Sequence, residues 1–121
     1  MQCAILFYED SKALADRTGE DAAAYWSTWA AYFGALGEKT LSGECLKGPE
    51  TGAVVRLTGS SRQVQDGHYA DTKEQLGGFA VIEAESLEDA LAWAERCPAA
   101  QDGAVEVRPV QPMREIPEMR S

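Results

Sequence analysis

The chain has 121 residues, 45% of them apolar, which fits one domain with a real core and leaves little room for a second. Its formal charge is −9, and its basic residues are scattered rather than gathered on one face. Composition therefore sets aside disorder except at the ends, and charge sets aside nucleic-acid binding, which needs a basic surface to displace counterions.

Residues 2–8, Gln-Cys-Ala-Ile-Leu-Phe-Tyr, carry apolar side chains on both faces and predict a strand covered on both sides. Thr18-Gly19-Glu20-Asp21 is close to a capping box. A helix is expected over about 20–36, where Ala22, Trp26, Trp29, Ala30 and Phe33 recur at three- and four-residue steps as one stripe. Gly37 is a natural stop. Residues 40–46 predict a strand, and Gly48-Pro49-Glu50-Thr51-Gly52 a loop. Residues 53–58 predict a second strand of this region, turned by Gly59-Ser60-Ser61 into 62–65 as a hairpin. A polar run, 66–75, follows, and Gly77-Gly78 opens an apolar strand over 79–83. Ser86-Leu87-Glu88-Asp89 is a second capping-box pattern; its helix carries Leu87, Ala90, Leu91 and Ala94 on one face and ends at Pro98. Val105-Glu106-Val107 alternates as an edge strand would. The domain is drawn over 1–112, with 113–121 as a flexible C-terminal tail.

This order fits an α+β fold of the ferredoxin-like, split βαβ plan with an inserted hairpin. The first and penultimate strands are then central and the last lies at an edge. Both helices cover one sheet face, yet the central strands are apolar on the other face too. A symmetric homodimer packed sheet to sheet is the simplest cover. The longest apolar stretch, 22–36, is broken by Ser27, Thr28 and Gly34 and falls short of the roughly 18 residues of a membrane span. The N-terminal residues lack the basic region and cleavage signal of a secretory peptide, so a cytoplasmic location is expected, with no membrane partner.

The cysteines, Cys3, Cys45 and Cys97, are odd in number and widely spaced, which suits neither a disulfide framework nor a zinc site. Cys3 and Cys97 read as core or boundary residues. Cys45, beside a glycine-rich turn, reads as exposed, and only His68 is available to activate it as a nucleophile. One histidine with scattered carboxylates gives no basis for a metal, and no cofactor is expected.

The segment Asp66-Gly67-His68-Tyr69-Ala70-Asp71-Thr72-Lys73-Glu74-Gln75-Leu76-Gly77-Gly78-Phe79 holds three carboxylates, a lysine, the chain's histidine, a phenol and three glycines between a hairpin and a buried strand. Polar loops on rigid scaffolds often carry function. Asp66 and His68 are two apart, share a face if extended, and can form a general base whose tautomer the carboxylate fixes. The competing role for Asp66 is a turn with Gly67, and for Gly77-Gly78 a bulge or a close backbone approach. Lys73 and Glu74 suit binding or polarising an anionic substrate, or a plain ion-paired contact; Tyr69 completes the candidate substrate-binding set. Tyr8, Trp26 and Trp29 line an apolar pocket or simply fill the core, with Glu44, beside Cys45, facing the same cleft.

DGHYADTKEQLGGF resembles the signature of the DGPF group of YCII-related proteins, D-G-P-F-x-E-T-K-E-Q-L-G-G-[FY]. The likeness extends to Ser42-Gly43-Glu44 with Leu46, Val54-Val55-Arg56, Ser86-Leu87-Glu88-Asp89-Ala90-Leu91-Ala92-Trp93-Ala94, Pro98-Ala99-Ala100 and Val105-Glu106-Val107-Arg108-Pro109-Val110, and covers 1–110. The resemblance implies a dimeric α+β barrel of ferredoxin-like halves. The resemblance implies relatives that are enzymes using a His-Asp pair, and one branch that is a dehydrochlorinase of chlorinated hydroxyquinols. Genes of the group often neighbour genes for extracytoplasmic-function sigma factors. This chain departs from the pattern where His68 replaces proline, Tyr69 phenylalanine and Asp71 glutamate. It also lacks a histidine near the first helix, where the His-Asp enzymes place theirs. Two function classes follow: a cofactor-free enzyme acting on a small organic ligand through acid-base residues of 66–79, or a dimeric non-catalytic ligand-binding or interaction module linked to sigma-factor regulation.

Overall fold

The computed structural model describes residues 1–67 and 73–120. The first strand, β1 (Gln2–Asp10), alternates strictly. Cys3, Ile5, Phe7 and Glu9 are buried, while Ala4, Leu6, Tyr8 and Asp10 are half-buried on the other face. It runs two residues beyond the expected strand, because Glu9 and Asp10 continue the alternation with polar side chains. Asp10 then caps a short helix, α1 (Ser11–Ala15), by accepting from the Ala13 N–H at 2.8 Å. Five residues are too few for a helical period to register in sequence, and this helix was not foreseen.

The expected capping box before α2 (Ala22–Leu36) does not form: Asp21 is the N-cap residue and makes no side-chain cap bond. The buried stripe of α2 is also rotated from the expected one. Trp29, Tyr32 and Leu36 are buried, with Tyr25 and Phe33 packed beside them. Trp26 is 41% exposed. The helix stops at Gly37, whose φ of +54° is one that glycine adopts freely and whose N–H bonds the Phe33 carbonyl.

Four strands form an antiparallel sheet in the order β2-β5-β1-β6, with β2 at Thr40–Cys45, β5 at Glu74–Glu83 and β6 at Ala104–Pro109. The first and penultimate strands are central and the last is at an edge, as the order of elements predicts. α2 carries the chain from β1 to β2. α3 (Leu87–Glu95) and the one-turn α4 (Ala99–Asp102) carry it from β5 to β6. Each crossover skips one strand, the split βαβ arrangement. Ser86 caps α3 by accepting from the Asp89 N–H at 3.1 Å. Only Ala90 and Ala94 of that helix are buried, whereas Leu87 and Leu91 stay exposed. The stripe expected on α3 is therefore half correct.

The core joins one sheet face (Cys3, Ile5, Phe7, Ala80, Ile82) to Trp29, Tyr32, Leu36, Ala90, Cys97 and Ala99. Ala4, Leu6, Phe79 and Val81, on the opposite face by register, take no part in it. β3 (Ala53–Thr58) and β4 (Ser61–Asp66) pair as the expected hairpin, but as a separate two-stranded ribbon whose Val55, Leu57 and Val64 are exposed. Short 3-10 turns at Met113–Glu115 and Pro117–Met119 follow β6. Among the described residues no helix is long and apolar enough to cross a membrane.

Candidate functional site

Strand alternation puts a carboxylate where a core side chain belongs. Glu9 continues the buried row Cys3, Ile5, Phe7 and is 2% exposed. A buried charge must be paired and hydrogen-bonded. Two residues from one side of the sheet meet this need. The Tyr25 hydroxyl donates to Glu9 Oε1, and Arg17 Nη2 donates to Glu9 Oε2 at 2.6 Å. Arg17 Nε in turn donates to the Tyr25 oxygen at 3.0 Å, closing a three-membered polar cycle.

Arg17 does more than neutralise Glu9. Its Nη2 also donates to the Gly77 carbonyl at 2.9 Å, and its Nη1 to the Leu46 carbonyl. The Trp26 indole N–H bonds back to the Arg17 carbonyl at 3.0 Å, and the guanidinium lies 5.7 Å from the Trp26 ring. One side chain thus ties the α1–α2 connection to β1, β5, α2 and the end of β2. Burial raises the Tyr25 phenol above the ordinary tyrosine range, and its bond to Glu9 raises it further, so Tyr25 is a neutral donor at physiological pH. Burial alone would weaken the Arg17 cation, but its contacts with Tyr25 and Glu9 outweigh that and hold its pKa above the usual value.

Gly77 makes room for this pair. β1 and β5 slip register between Phe7 and Tyr8, so that Phe7 faces Gly78, Tyr8 faces Leu76, and Gly77 is the extra residue of a bulge. A Cβ on Gly77 would stand 2.3 Å from Glu9 Oε2 and 2.7 Å from Arg17 Nη2. A Cβ on Gly78 would stand 2.7 Å from the Glu44 carbonyl of β2. The Gly-Gly pair therefore serves both a bulge and a close backbone approach.

Between α2 and β2 lies a cavity of about 470 Å³. Phe7, Trp26, Trp29 and Phe33 wall it, the strand segment 40–45 with Thr40, Ser42 and Glu44 forms its other side, and Glu9, Arg17 and Tyr25 gather as a polar group at one end of the lining. Trp29 packs edge-on to Phe7 at 4.9 Å and stacks with Phe33 at 6.1 Å, so the wall is fixed by aromatic packing. An apolar slot with a few convergent polar groups is the usual form of a small-molecule site.

Residues 1–114 match the YCII-related domain. The chain belongs to the YCII-related domain family. A stretch of 60 residues is 42% identical to an uncharacterised protein of Rhizobium meliloti (strain 1021); it covers 48% of this chain and 48% of that protein, so the match spans about half the length of that relative. Among solved structures, 5-chloro-2-hydroxyhydroquinone dehydrochlorinase (TftG) from Burkholderia phenoliruptrix AC1100, in complex with 2,5-dihydroxybenzoquinone, aligns with a TM-score of 0.52 and 21% identity. The alignment covers 92% of this chain and 94% of that one, and it shows a shared fold.

Not all of the expected site residues of this YCII-related chain gather at the cavity. Trp26 and Trp29 line it, as do Glu44, Gly77 and Gly78; Cys45, not expected there, lines it too. Tyr8 does not: it stands on the opposite sheet face and donates to Glu106 Oε1 at 3.1 Å. Lys73 is exposed on a neighbouring cleft, and Glu74 opens β5 opposite Asp10, half-buried. Asp66 ends β4 opposite Ala53, exposed, and does not line the aromatic cavity. Gly67 follows at φ +92° with its N–H on the Gly52 carbonyl at 2.8 Å, a turn backbone that suits glycine. His68, Tyr69 and Asp71 lie outside the described residues. Cys45 is exposed and Cys3 and Cys97 are buried, as expected.

Sequence reasoning missed Glu9, Arg17 and Tyr25. Glu9 had a signal, since an acid in the buried register of an otherwise apolar strand demands a partner. Arg17 and Tyr25 had none, because their meeting depends on how the α1–α2 connection folds back.

Proposed function

We propose that this YCII-related chain is a cofactor-free enzyme that acts by acid-base chemistry on a small planar organic molecule held between α2 and β2. The observation that carries this reading is the Glu9–Arg17–Tyr25 cycle, buried beside an otherwise aromatic cavity. A flat ring stacks against Trp26 and Trp29, and its polar substituents turn toward the cycle. When substrate binds, the Tyr25 hydroxyl, held neutral, turns from Glu9 Oε1 to a substrate oxygen, and the Oε1 it leaves takes up a substrate proton while Arg17 stays on Oε2. The solved relative is named for a chlorinated hydroxyhydroquinone and holds 2,5-dihydroxybenzoquinone, which makes hydroxylated six-membered rings the first substrate class to test.

The polar segment enters the reading as the outer part of the site. Its Gly77 and Gly78 line the cavity. Asp66 and His68 act as a second acid-base pair, and Tyr69, Lys73 and Glu74 contact the substrate's periphery. The active species is a homodimer in which Ala4, Leu6, Phe79 and Val81 of two sheets pack together. Their absence from the core of the single chain supports this. Light scattering should give twice 13.1 kDa, and a 13.1 kDa species at micromolar concentration would overturn the dimer.

The test of the site is calorimetric titration with 2,5-dihydroxybenzoquinone and related hydroquinones. Saturable binding is expected, and Ala30→Phe, which fills the cavity from the exposed side of α2, should abolish it. Equal binding by wild type and Ala30→Phe places the ligand elsewhere and sinks the proposal. Turnover that survives both Glu9→Gln and His68→Ala refutes the acid-base step.

A further inference from the structure

We infer that the site has a second, cationic compartment, and that its ligand is an aromatic molecule bearing an acidic group. The inference rests on the aromatic cavity being the binding site. Next to that cavity lies a second cleft, of about 750 Å³, between α1 and the loop 46–51. Arg17, Trp26 and Cys45 line both, so the two adjoin across these three side chains.

The cleft differs from its neighbour in charge. Lys47 and Lys73 both line it, both are exposed, and neither is paired with an acid among the described residues. Among the described residues Glu50 is the one acid that lines it, and the Arg17 charge is already met by Glu9 at 2.6 Å. On a chain of formal charge −9 most of the surface repels an anion. Two ammonium groups at one cleft, without an acid partner among the described residues, mark a local exception, and such an exception draws in and orients an anionic group. The neighbouring cavity offers the reverse: an aromatic wall on the α2 side, one internally neutralised ion pair, and a further acid, Glu44, on the β2 side. A ligand that fills both has an apolar ring in the aromatic cavity and a carboxylate or similar anion reaching past Trp26 to Lys47 and Lys73. An aliphatic anion gains nothing from the aromatic wall, and an uncharged aromatic ligand gains nothing from the lysines.

The experiment compares 4-phenylbutyrate with 4-phenylbutanol, which share a skeleton and differ in charge. Binding is read by calorimetry and by protection of exposed Cys45 from a thiol reagent. The acid should bind wild type roughly three- to tenfold tighter than the alcohol, the scale that two solvent-exposed charge contacts allow. The preference should shrink as salt rises toward 1 M. In Lys47→Gln/Lys73→Gln it should vanish. Equal binding of acid and alcohol by wild type, or a preference that persists in the double variant, overturns the cationic compartment and leaves the aromatic cavity standing. If neither compound binds while 2,5-dihydroxybenzoquinone does, the inference again falls alone. Binding of all three that Ala30→Phe does not reduce removes the aromatic cavity, and the inference with it.

Discussion

Replacing Gly77 by alanine is the sharpest test of the buried cycle. The backbone tolerates the change, since Gly77 is not among the glycines with positive φ. The added methyl is what matters. It would lie 2.3 Å from Glu9 Oε2, 2.7 Å from Arg17 Nη2 and 3.2 Å from Glu9 Cδ. Ends of side chains usually move aside cheaply, but these are not free. Glu9 is 2% exposed and bound by Tyr25 and Arg17, and Arg17 is bound at four acceptors. Making room breaks the 2.6 Å pair or pushes a carboxylate against the aromatic wall. Removing one partner of a buried pair costs about 3–5 kcal/mol. Displacing both without deleting either should cost less, about 2–3 kcal/mol. For a domain of this size that is a fall in Tm of roughly 6–18 °C.

The assay is thermal and urea unfolding of four proteins: wild type, Gly77→Ala, Glu9→Ala and the double variant. Glu9→Ala alone is costly because it strands Arg17. Adding Gly77→Ala on top of it should cost under about 1 kcal/mol, since the clashing carboxylate has gone, and the cycle should show coupling of at least about 1 kcal/mol. Gly34→Ala is the control. It lies within α2 with nothing inside 4 Å of its would-be Cβ, and should stabilise by about 0.5–1 kcal/mol. Additivity of Gly77→Ala and Glu9→Ala within about 0.5 kcal/mol refutes the claim that the glycine exists to admit the ion pair.

Three further outcomes follow from the same geometry. Tyr25 and Tyr32 are both raised above the tyrosine reference of 10.0, chiefly by burial, so folding favours their protonated forms; their contribution is fully present below pH 10.0 and is lost as pH climbs toward the folded values. Melting temperature should hold up to that pH and then fall, more gently in Tyr25→Phe/Tyr32→Phe, and a slope unchanged in that variant refutes the assignment. A thiol reagent should modify Cys45 alone in the native protein, since Cys3 is buried and burial pushes the Cys97 thiol up to about 12, whereas all three should react in denaturant; rapid native modification of a second thiol refutes it. Replacing the ion pair by apolar residues of similar size, Glu9→Leu with Arg17→Met, should change stability by less than about 2 kcal/mol or raise it, yet should abolish binding of hydroxylated rings, as read by calorimetry.

Much of the fold was legible because its signals are local. Two-sided apolar strands placed β1 and β5 at the centre, Gly37 ended α2, and Ser86 capped α3. The face of α2 was not legible for a physical reason. Its sequence, AAAYWSTWAAYFGAL, is apolar nearly all round, so spacing alone cannot decide which aromatics turn inward. Trp26, read both as part of the stripe and as a pocket wall, takes the second role. The hairpin residues read correctly as strands, but nothing in Val54, Val55 or Val64 tells that they leave the main sheet. The site was legible only at its glycines and its tryptophans. Gly77-Gly78 announced a bulge or close approach, whereas the reason for it, Glu9, lies some seventy residues away in sequence and meets it only through strand pairing.

That distance changes what the polar segment contributes. Read alone, 66–79 is a cluster of groups able to do chemistry. At its Gly77-Gly78 end it supplies the opposite, a strip of backbone without side chains that lets a charge from β1 sit inside the sheet. A buried ion pair gives little stability over an apolar pair of the same volume. Here it comes with a register slip, a glycine that no other residue can replace without displacing the pair, a phenol held neutral, and an arginine bound to four acceptors. An apolar residue at position 9 would make the row Cys3, Ile5, Phe7 continuous and would require none of these. The stability of the sheet therefore does not account for Glu9. The proposed role, meeting a polar group of a ligand in the adjoining cavity, would account for it, and on that proposal the apolar replacement of Glu9 and Arg17 should separate folding from binding.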